Sequence, residues 1–239
     1  MPDPFVSPKR RIARAKKHIL DIKSRVGSFF GSKPYTRLVE RNAQGLDEHK
    51  IKLTSDIPGE ITDLAYEAIE ALRSGLDQAM HPIAVACGAK RPDLVHFPIA
   101  DTSLEVDNIL NGRLKDFPPD IKAFLRCLKP YKGGNDLVWA LNKVRRQSAH
   151  RLIMPVGTAS AGMFINDMIS KGGARVLAPS WDSKKNEIIF AETVPGAHLY
   201  YNFNIAFYIA FGPVEGIAEQ PVLDVLTTAA GEVERILLG

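Results

Sequence analysis

Residues 199 to 211 carry an aromatic or aliphatic side chain at every second position, and this pattern constrains the fold more than any other feature of the sequence. One face of the alternation is apolar and consists of Leu199, Tyr201, Phe203, Ile205, Phe207, Ile209 and Phe211. Because successive side chains of a β-strand point to opposite faces, the pattern predicts a long strand whose apolar face another layer must cover. A shorter strand at 187 to 194 precedes it, and the turn Pro195-Gly196-Ala197 separates the two.

A second β region is predicted nearer the N-terminus. Residues 35 to 41 are predicted to form one strand, and residues 49 to 53 form a second in which His49, Ile51 and Leu53 alternate with Lys50 and Lys52. The polar stretch from Asn42 to Glu48, which contains Gly45, connects the two strands as a hairpin. We expect this hairpin and the C-terminal strands at 175 to 211 to form one antiparallel sheet. Between Pro155 and these strands the sequence is rich in Gly and Ser, which predicts a mobile loop.

Helical periodicity accounts for most of the remaining chain. The longest such segment, 59 to 87, has an apolar face, contains Pro82 near its end and stops at Gly88, and we expect the proline to kink or interrupt the last turn. Further helices are predicted at 102 to 112, 118 to 128, 134 to 151 and 221 to 238. The sequence therefore predicts an α+β fold in a single domain, 1 to 239, with a helical core at 59 to 151 covered by the sheet.

The N-terminal segment is predicted to be a basic amphipathic helix at 8 to 26. Residues 1 to 25 carry eight basic side chains against two acidic ones, whereas the whole chain carries a net charge of only +4, so the remaining residues are slightly acidic. An apolar stripe runs along the same helix, from Ile12 to Phe29. Its polar face is either an ordinary solvated face, or a surface for an acidic membrane or for nucleic acid through Arg10, Arg11, Arg14, Lys16 and Lys17.

Composition and motif spacing exclude several classes of protein. With 45% hydrophobic and 24% charged residues the chain is typical of a globular protein, and the absence of a long apolar stretch or a secretory signal predicts a soluble cytoplasmic protein without a membrane span. Gly157 and Gly162 have the spacing of a phosphate loop, but Met163 and Phe164 stand where Lys and Ser/Thr are needed. The histidines and cysteines lack metal-ligand spacing, so neither a metal nor a cofactor is predicted.

The segment 142 to 151 is the strongest candidate for chemistry. Asn142, Arg146 and His150 are four residues apart and lie along one side of a helix, with Arg145 and Arg151 beside them. An arginine can hold a phosphate through two hydrogen bonds and an imidazole can move the proton of a ribose hydroxyl, so the segment carries the minimum groups for metal-free RNA cleavage. The alternative is that these side chains cap the carbonyl end of the helix and offset its dipole.

A second polar group lies on the helix at 59 to 87 and consists of Glu70, Arg73, Ser74 and Asp77. Arg73 and Asp77 are four residues apart and are expected to pair. If they face the helix that carries Arg145 and His150, they can orient those two side chains. Otherwise they form an ordinary surface ion pair.

An ordered set of short blocks resembles a widespread family of uncharacterised bacterial proteins, which shows RAKEH, PY, LRSALD, FPI, QPY and DKHR blocks in the same order. The matching blocks in this chain are 14 to 18, Pro34-Tyr35, 71 to 77, Phe97-Pro98-Ile99, Lys129-Pro130-Tyr131 and 141 to 152. They span about 60% of the chain, from residue 14 to residue 155.

The two long helices, with Arg145 and His150 near the end of the second, also resemble the HEPN superfamily more distantly. Many members of that superfamily are metal-independent ribonucleases whose Arg/His motifs meet across a homodimer, and others are inactive binding modules. The resemblance implies that Arg145 binds phosphate and that His150 is catalytic. This chain departs from the patterns at Arg146, which replaces a small polar residue or histidine, and at Ser148-Ala149, which replaces Asp-Lys.

Two functions remain consistent with the sequence. The first is a non-catalytic HEPN-like binding or scaffold protein, expected to be a homodimer, whose basic N-terminal helix contacts a partner such as nucleic acid. The second is a metal-independent ribonuclease that uses Arg145 and His150. The departures from the resembled patterns favour the first, because they remove polar groups that could do chemistry.

Overall fold

The computed structural model describes residues 3–148, 156–182 and 185–238. Within these ranges six α-helices occur, namely α1 (Val6–Gly31), α2 (Gly59–Ala86), α3 (Ser103–Asn111), α4 (Pro119–Cys127), α5 (Asp136–Ser148) and α6 (Val222–Leu238). The strands are β1 (Tyr35–Arg41), β2 (Asp47–Leu53), β3 (Val156–Lys171), β4 (Ala174–Asp182), β5 (Glu187–Thr193) and β6 (His198–Phe211). The predicted α+β class is confirmed, with a mostly antiparallel sheet.

Contacts divide the chain into two compact units. Unit 1 comprises Met1–Lys23, Glu60–Pro155 and Phe211–Gly239, and unit 2 comprises Ser24–Gly59 and Val156–Ala210. Both units are assembled from separate segments, which is why no linker in the sequence marks the division. That the chain is a single folding domain stays a prediction.

Unit 1 is helical, and the apolar stripe of α1 packs inside it. Ile12, Ala15 and Ile22 are buried, as the amphipathic pattern predicts. α1 crosses α2 closely at Gly75, where a Cβ atom would lie 3.5 Å from the Cβ of Arg11. α6 is tied to α1 by the ion pair between Lys16 and Glu234, whose nitrogen and oxygen are 2.7 Å apart.

The ends of the long helices follow local chemistry. At the end of α2 the amide of Ala89 donates to the Ala84 carbonyl and that of Gly88 to the Val85 carbonyl, and Gly88 has a φ of 69°. This arrangement is a Schellman cap, for which glycine is the usual residue. Pro82 lies inside α2, which continues through Ala86, so the proline does not end the helix.

Asn135 is the N-cap of α5. The Asn135 side-chain oxygen Oδ1 accepts the backbone amide of Val138 at 3.1 Å, which pairs one of the first free N–H groups of the helix. The Asn135 side-chain nitrogen Nδ2 donates to Glu232 of α6 at 2.7 Å. The same residue therefore begins α5 and joins it to its neighbour.

Unit 2 contains a four-stranded antiparallel sheet in the order β1-β2-β5-β4. The predicted hairpin is confirmed, with Tyr35 opposite Leu53 and Arg41 opposite Asp47. One face of the sheet carries a buried cluster against which partly buried side chains from β1 and β6 pack. The cluster is Ile51, Ile188, Phe190 and Ala191, and the side chains against it are Tyr35, Leu199 and Tyr201.

Two expectations for the β region were wrong. The Gly- and Ser-rich segment predicted as a mobile loop is largely β3, which pairs with β6 in a separate two-stranded sheet. The single predicted sheet is therefore two sheets. β propensity depends on the neighbouring strand, and a local window that starts at Gly157 contains no information on that partner.

No described helix has both the length and the apolar character that crossing a membrane requires.

Candidate functional site

The structure brings together most of the predicted site residues on two helices of unit 1. Arg73 and Asp77 lie on α2, and Asn142, Arg145 and Arg146 lie on α5. His150 and Arg151 fall outside the described residues. We call Glu70, Arg73, Asp77, Asn142 and Arg145 the Arg145 cluster.

Two carboxylates of α2 hold the guanidinium of Arg145. Its Nη1 donates to Oδ2 of Asp77 at 3.1 Å, and its Nε lies 3.2 Å from Oε1 of Glu70. The Arg145 side chain is 40% exposed, so one side of it still meets solvent. Glu70 and Asp77 of the earlier helix therefore face Arg145.

Arg73 forms the buried part of the cluster. Its Nε donates to the Asn142 side-chain oxygen at 3.2 Å, its Nη1 pairs with Oδ1 of Asp77, and its Nη2 donates to the Phe97 carbonyl at 3.4 Å. The backbone amide of Phe97 donates in turn to Oδ1 of Asp77 at 3.0 Å. Arg73 is only 6% exposed, so its role is to join α2, α5 and the Phe97 segment rather than to meet a ligand.

Glu70 also lies near Tyr66. Burial and the nearby carboxylate of Glu70 raise the pKa of Tyr66. Oε1 of Glu70 is buried and has no aligned hydrogen bond, although Nε of Arg145 lies within ion-pair distance of it. Glu70 therefore depends on Arg145 for its charge balance, and removal of Arg145 would leave a buried carboxylate oxygen without a cation.

A cleft of about 790 Å³ opens beside the Arg145 cluster. It is bordered by α2, by the segment from Leu94 to Asp101, by α3 with Gly112 and Arg113 at its end, and by α5. All of these belong to unit 1. The volume is in the range of sites for small molecules, about 300 to 1,000 Å³.

His96 is a residue of this cleft that the sequence analysis did not select. Its side chain is 61% exposed and its Nδ1 lies 3.7 Å from Oδ1 of Asp77. The only signal in the sequence is its position directly before the Phe97-Pro98-Ile99 block. His96 is thus the one histidine described beside the Arg145 cluster.

The basic side chains of α1 divide into exposed and engaged groups. Arg10, Arg14 and Lys17 are exposed, whereas Lys16 is paired with Glu234 and Arg11 is partly buried where α1 crosses α2. None of the three exposed side chains has a carboxylate within ion-pair distance in the described part of the chain, and the one hydrogen bond among them is from Nε of Arg14 to His18, at 3.3 Å. We call Arg10, Arg14 and Lys17 the basic face.

His18 was also not selected from the sequence. It is buried on the inner side of α1, with Nε2 3.2 Å from a carboxylate oxygen of Glu67 on α2. A single histidine within a basic run carries no signal for such a contact, because the partner lies far away in sequence.

The described residues include no group of three or more His, Cys, Asp or Glu side chains that could hold a metal ion. Comparison with protein-family models, curated proteins and solved structures finds no match to this chain.

Proposed function

We propose that this protein is a non-catalytic, HEPN-like binding protein whose basic face contacts nucleic acid. The observation that carries the proposal is the position of Arg145 between Asp77 and Glu70. A ribonuclease arginine must hold a phosphate in the transition state. Here two carboxylates already occupy the guanidinium and would repel an approaching phosphate.

The basic face supplies the binding half of the proposal. Arg10, Arg14 and Lys17 follow one another at spacings of four and three residues, so they lie on one side of α1. They are exposed and no described carboxylate neutralises them. Such a row of cations fits the phosphates of a nucleic-acid strand, and its affinity would fall steeply with salt.

The test is the binding of a fluorescently labelled single-stranded RNA, followed by anisotropy over a range of salt concentrations. Each of the variants Arg10→Gln and Lys17→Gln is expected to reduce the slope of log affinity against log salt by about 1. Lys16→Gln is the matched control, because the charge of Lys16 is already paired with Glu234. Binding that is absent, or that depends on Lys16 as strongly as on Arg10 and Lys17, would contradict the proposal.

The second candidate is the metal-independent ribonuclease that uses Arg145 and His150. It is favoured by the exposed side of Arg145 on the wall of the cleft. Incubation of RNA with the purified protein in excess chelator tests it, with His150→Ala as the comparison. Cleavage by the wild type that disappears in a folded His150→Ala variant would establish the ribonuclease and refute the non-catalytic proposal.

The homodimer is expected for the binding protein, and the ribonuclease candidate also needs it, because HEPN ribonucleases join two Arg/His motifs across their dimer. Light scattering coupled to size exclusion measures the mass directly. A monomer of 26.3 kDa would contradict the expected homodimer and count against the ribonuclease.

A further inference from the structure

A groove of about 550 Å³ runs between α1 and α6 on the surface of unit 1. Ile19 and Ala230 line it but are themselves buried, so the remaining lining residues supply the surface that the groove offers. The groove is separate from the cleft beside the Arg145 cluster, which other residues line. Its lining residues are Lys16, Ile19, Leu20 and Lys23 of α1 and Leu223, Asp224, Thr227 and Ala230 of α6.

Leu20 presents an apolar side chain at this groove. It is 65% exposed, whereas Ile12, Ile19 and Ile22 of the same helix are buried. Leu223, which lines the groove from α6, is half-buried. One exposed leucine is ordinary on a protein surface, but here it stands beside a groove that a second apolar side chain also lines. A partner that docks there would remove both leucines from water.

The groove also holds one cation and one anion that the fold does not use. Lys23 on α1 and Asp224 on α6 are exposed, and neither makes an ion pair or a side-chain hydrogen bond within the described part of the chain. Lys16, the other charged residue of the lining, is neutralised by Glu234 at 2.7 Å. Taken together with Glu234, the lining therefore has no net charge.

This combination is complementary to a second copy of itself. In a two-fold dimer the same patch meets itself, so every contact between two different residues occurs twice. If Lys23 of one protomer pairs with the partner's Asp224, the reverse pair forms by symmetry. A neutral groove, by contrast, has no net attraction for nucleic acid or for a strongly charged protein surface.

We propose that the groove between α1 and α6 is the interface of a two-fold homodimer. Leu20 of each protomer enters the partner's groove, and two symmetric ion pairs join Lys23 to the partner's Asp224. The proposal assigns a surface to the expected homodimer and does not rest on RNA binding. It also differs from a dimer built on two Arg/His motifs, because Arg145 lies outside the groove.

Sedimentation equilibrium of the full chain over a range of concentrations tests the apolar part of the interface. The wild type is expected to reach twice the monomer mass of 26.3 kDa. Leu20→Ser should raise the dissociation constant at least about tenfold, because it removes an exposed apolar side chain from both halves of the dimer. A wild type that stays monomeric would overturn the proposal and leave the groove to a different protein. An unchanged dissociation constant in Leu20→Ser would overturn it too.

The charged pair provides a sharper test. Lys23→Glu sets two carboxylates against each other twice in each dimer, and Asp224→Lys does the same with two ammonium groups. Each variant alone should therefore dissociate at least about tenfold more readily than the wild type. In an equal mixture, the reversed charge of one chain faces the reversed charge of the other, and the two native charges face each other as well. The mixture should recover dimers with about the wild-type dissociation constant.

Lys90→Glu is the matched control for the charge reversals. Lys90 is exposed, makes no ion pair among the described residues and lies outside the groove, so its reversal should leave the dimer unchanged. If the mixture stays monomeric although both variants are folded, Lys23 and Asp224 do not meet across the interface and the assignment is wrong. The same conclusion follows if Lys90→Glu dissociates as readily as Lys23→Glu.

Far-UV circular dichroism shows whether each variant is folded. This check matters most for Asp224→Lys, because Asp224 lies in the first turn of α6, where a carboxylate favours the helix. If that variant does not fold, Leu20→Ser and Lys23→Glu decide the proposal by themselves, since both alter exposed side chains of α1.

The interface and the basic face fail separately. Arg10→Gln and Lys17→Gln lie outside the groove lining and should leave the dissociation constant of the dimer unchanged. A dimer that does not bind RNA would refute only the basic face. A monomer that binds RNA would refute only the interface.

Discussion

Replacement of Lys50 by Met should strongly destabilise the four-stranded sheet, because Lys50 is a buried cation. The ammonium group of Lys50 on β2 lies 2.9 Å from Glu48, 3.0 Å from Glu40 on β1 and 3.3 Å from Glu187 on β5. Burial alone would lower the pKa of Lys50, but hydrogen bonds to these carboxylates outweigh it and raise the pKa well above its usual value. One lysine therefore balances three carboxylates on three adjacent strands.

The magnitude follows from the exposure of Glu40 and Glu187. Glu40 is 54% exposed, so its pair contributes at most about 0.5 to 1 kcal/mol. The Glu187 side chain is only 4% exposed, and loss of Lys50 leaves this buried carboxylate with only the exposed Lys185, 4.0 Å away, which costs about 3 to 5 kcal/mol. We expect the free energy of unfolding of Lys50→Met to fall by about 3 to 5 kcal/mol at neutral pH, as measured by urea titration with circular dichroism.

The loss in free energy of unfolding caused by Lys50→Met should become smaller at low pH. The hydrogen bond from Lys50 holds the pKa of Glu48 below its ordinary value of 4.5. The stabilisation from a depressed carboxylate pKa is present above the pKa of the unfolded chain and is lost as the pH falls through the folded-state pKa. The difference between wild type and Lys50→Met should therefore be constant near neutrality and shrink below about pH 4.5.

Lys52→Met is the matched control. Lys52 lies on the same strand, two residues away, and makes no ion pair among the described residues. We expect it to change the free energy of unfolding by less than about 0.5 kcal/mol. The reasoning is refuted if Lys50→Met is no more destabilising than Lys52→Met, or if its deficit stays constant down to pH 3.

Three further substitutions test local features of unit 1, each through the melting temperature in a calorimetric scan. Gly75→Ala should stabilise the protein by about 1 kcal/mol, because the added Cβ would meet Arg11 at an ordinary 3.5 Å and alanine is the better helix former; a lower melting temperature would show that the helices cannot accept the methyl group. Gly134→Ala should destabilise it by about 1 to 3 kcal/mol, because the Cβ would lie 2.5 Å from the Lys129 carbonyl oxygen. Asn135→Ala should cost about 1 kcal/mol through loss of the α5 N-cap, and an unchanged melting temperature would disprove the importance of that cap.

The helices could be predicted because their signals are local. The apolar face of α2, its stop at Gly88 and the N-cap at Asn135 all depend on residues within a few positions of one another. The hairpin of β1 and β2 is local for the same reason, since a short polar connection joins its strands. These elements and the α+β class required no knowledge of distant contacts.

Only part of the candidate site could be predicted from local sequence patterns. The sequence predicted Arg145 on one helix and Arg73 with Asp77 on another. It did not decide whether Arg73 and Asp77 face Arg145 or form an ordinary surface ion pair. The hydrogen bond between Arg145 and Asp77 joins residues 68 positions apart in the sequence. Phe97 contributes through its backbone amide, which leaves no signal in the side-chain pattern. The sequence did not indicate that His96 and Arg113 line a common cleft, because the cleft forms only in the tertiary structure.

The sequence by itself determined the helices, the hairpin, the basic character of α1 and which residue types were available for chemistry, because periodicity and capping act over one or two turns of chain. Only the tertiary structure decided that the Gly- and Ser-rich segment pairs as β3 with β6 and that Glu70 and Asp77 contact Arg145. Strand pairing and charge compensation are energies between groups far apart in sequence. They are set by which partners the fold brings within hydrogen-bond distance, and no local pattern records that choice.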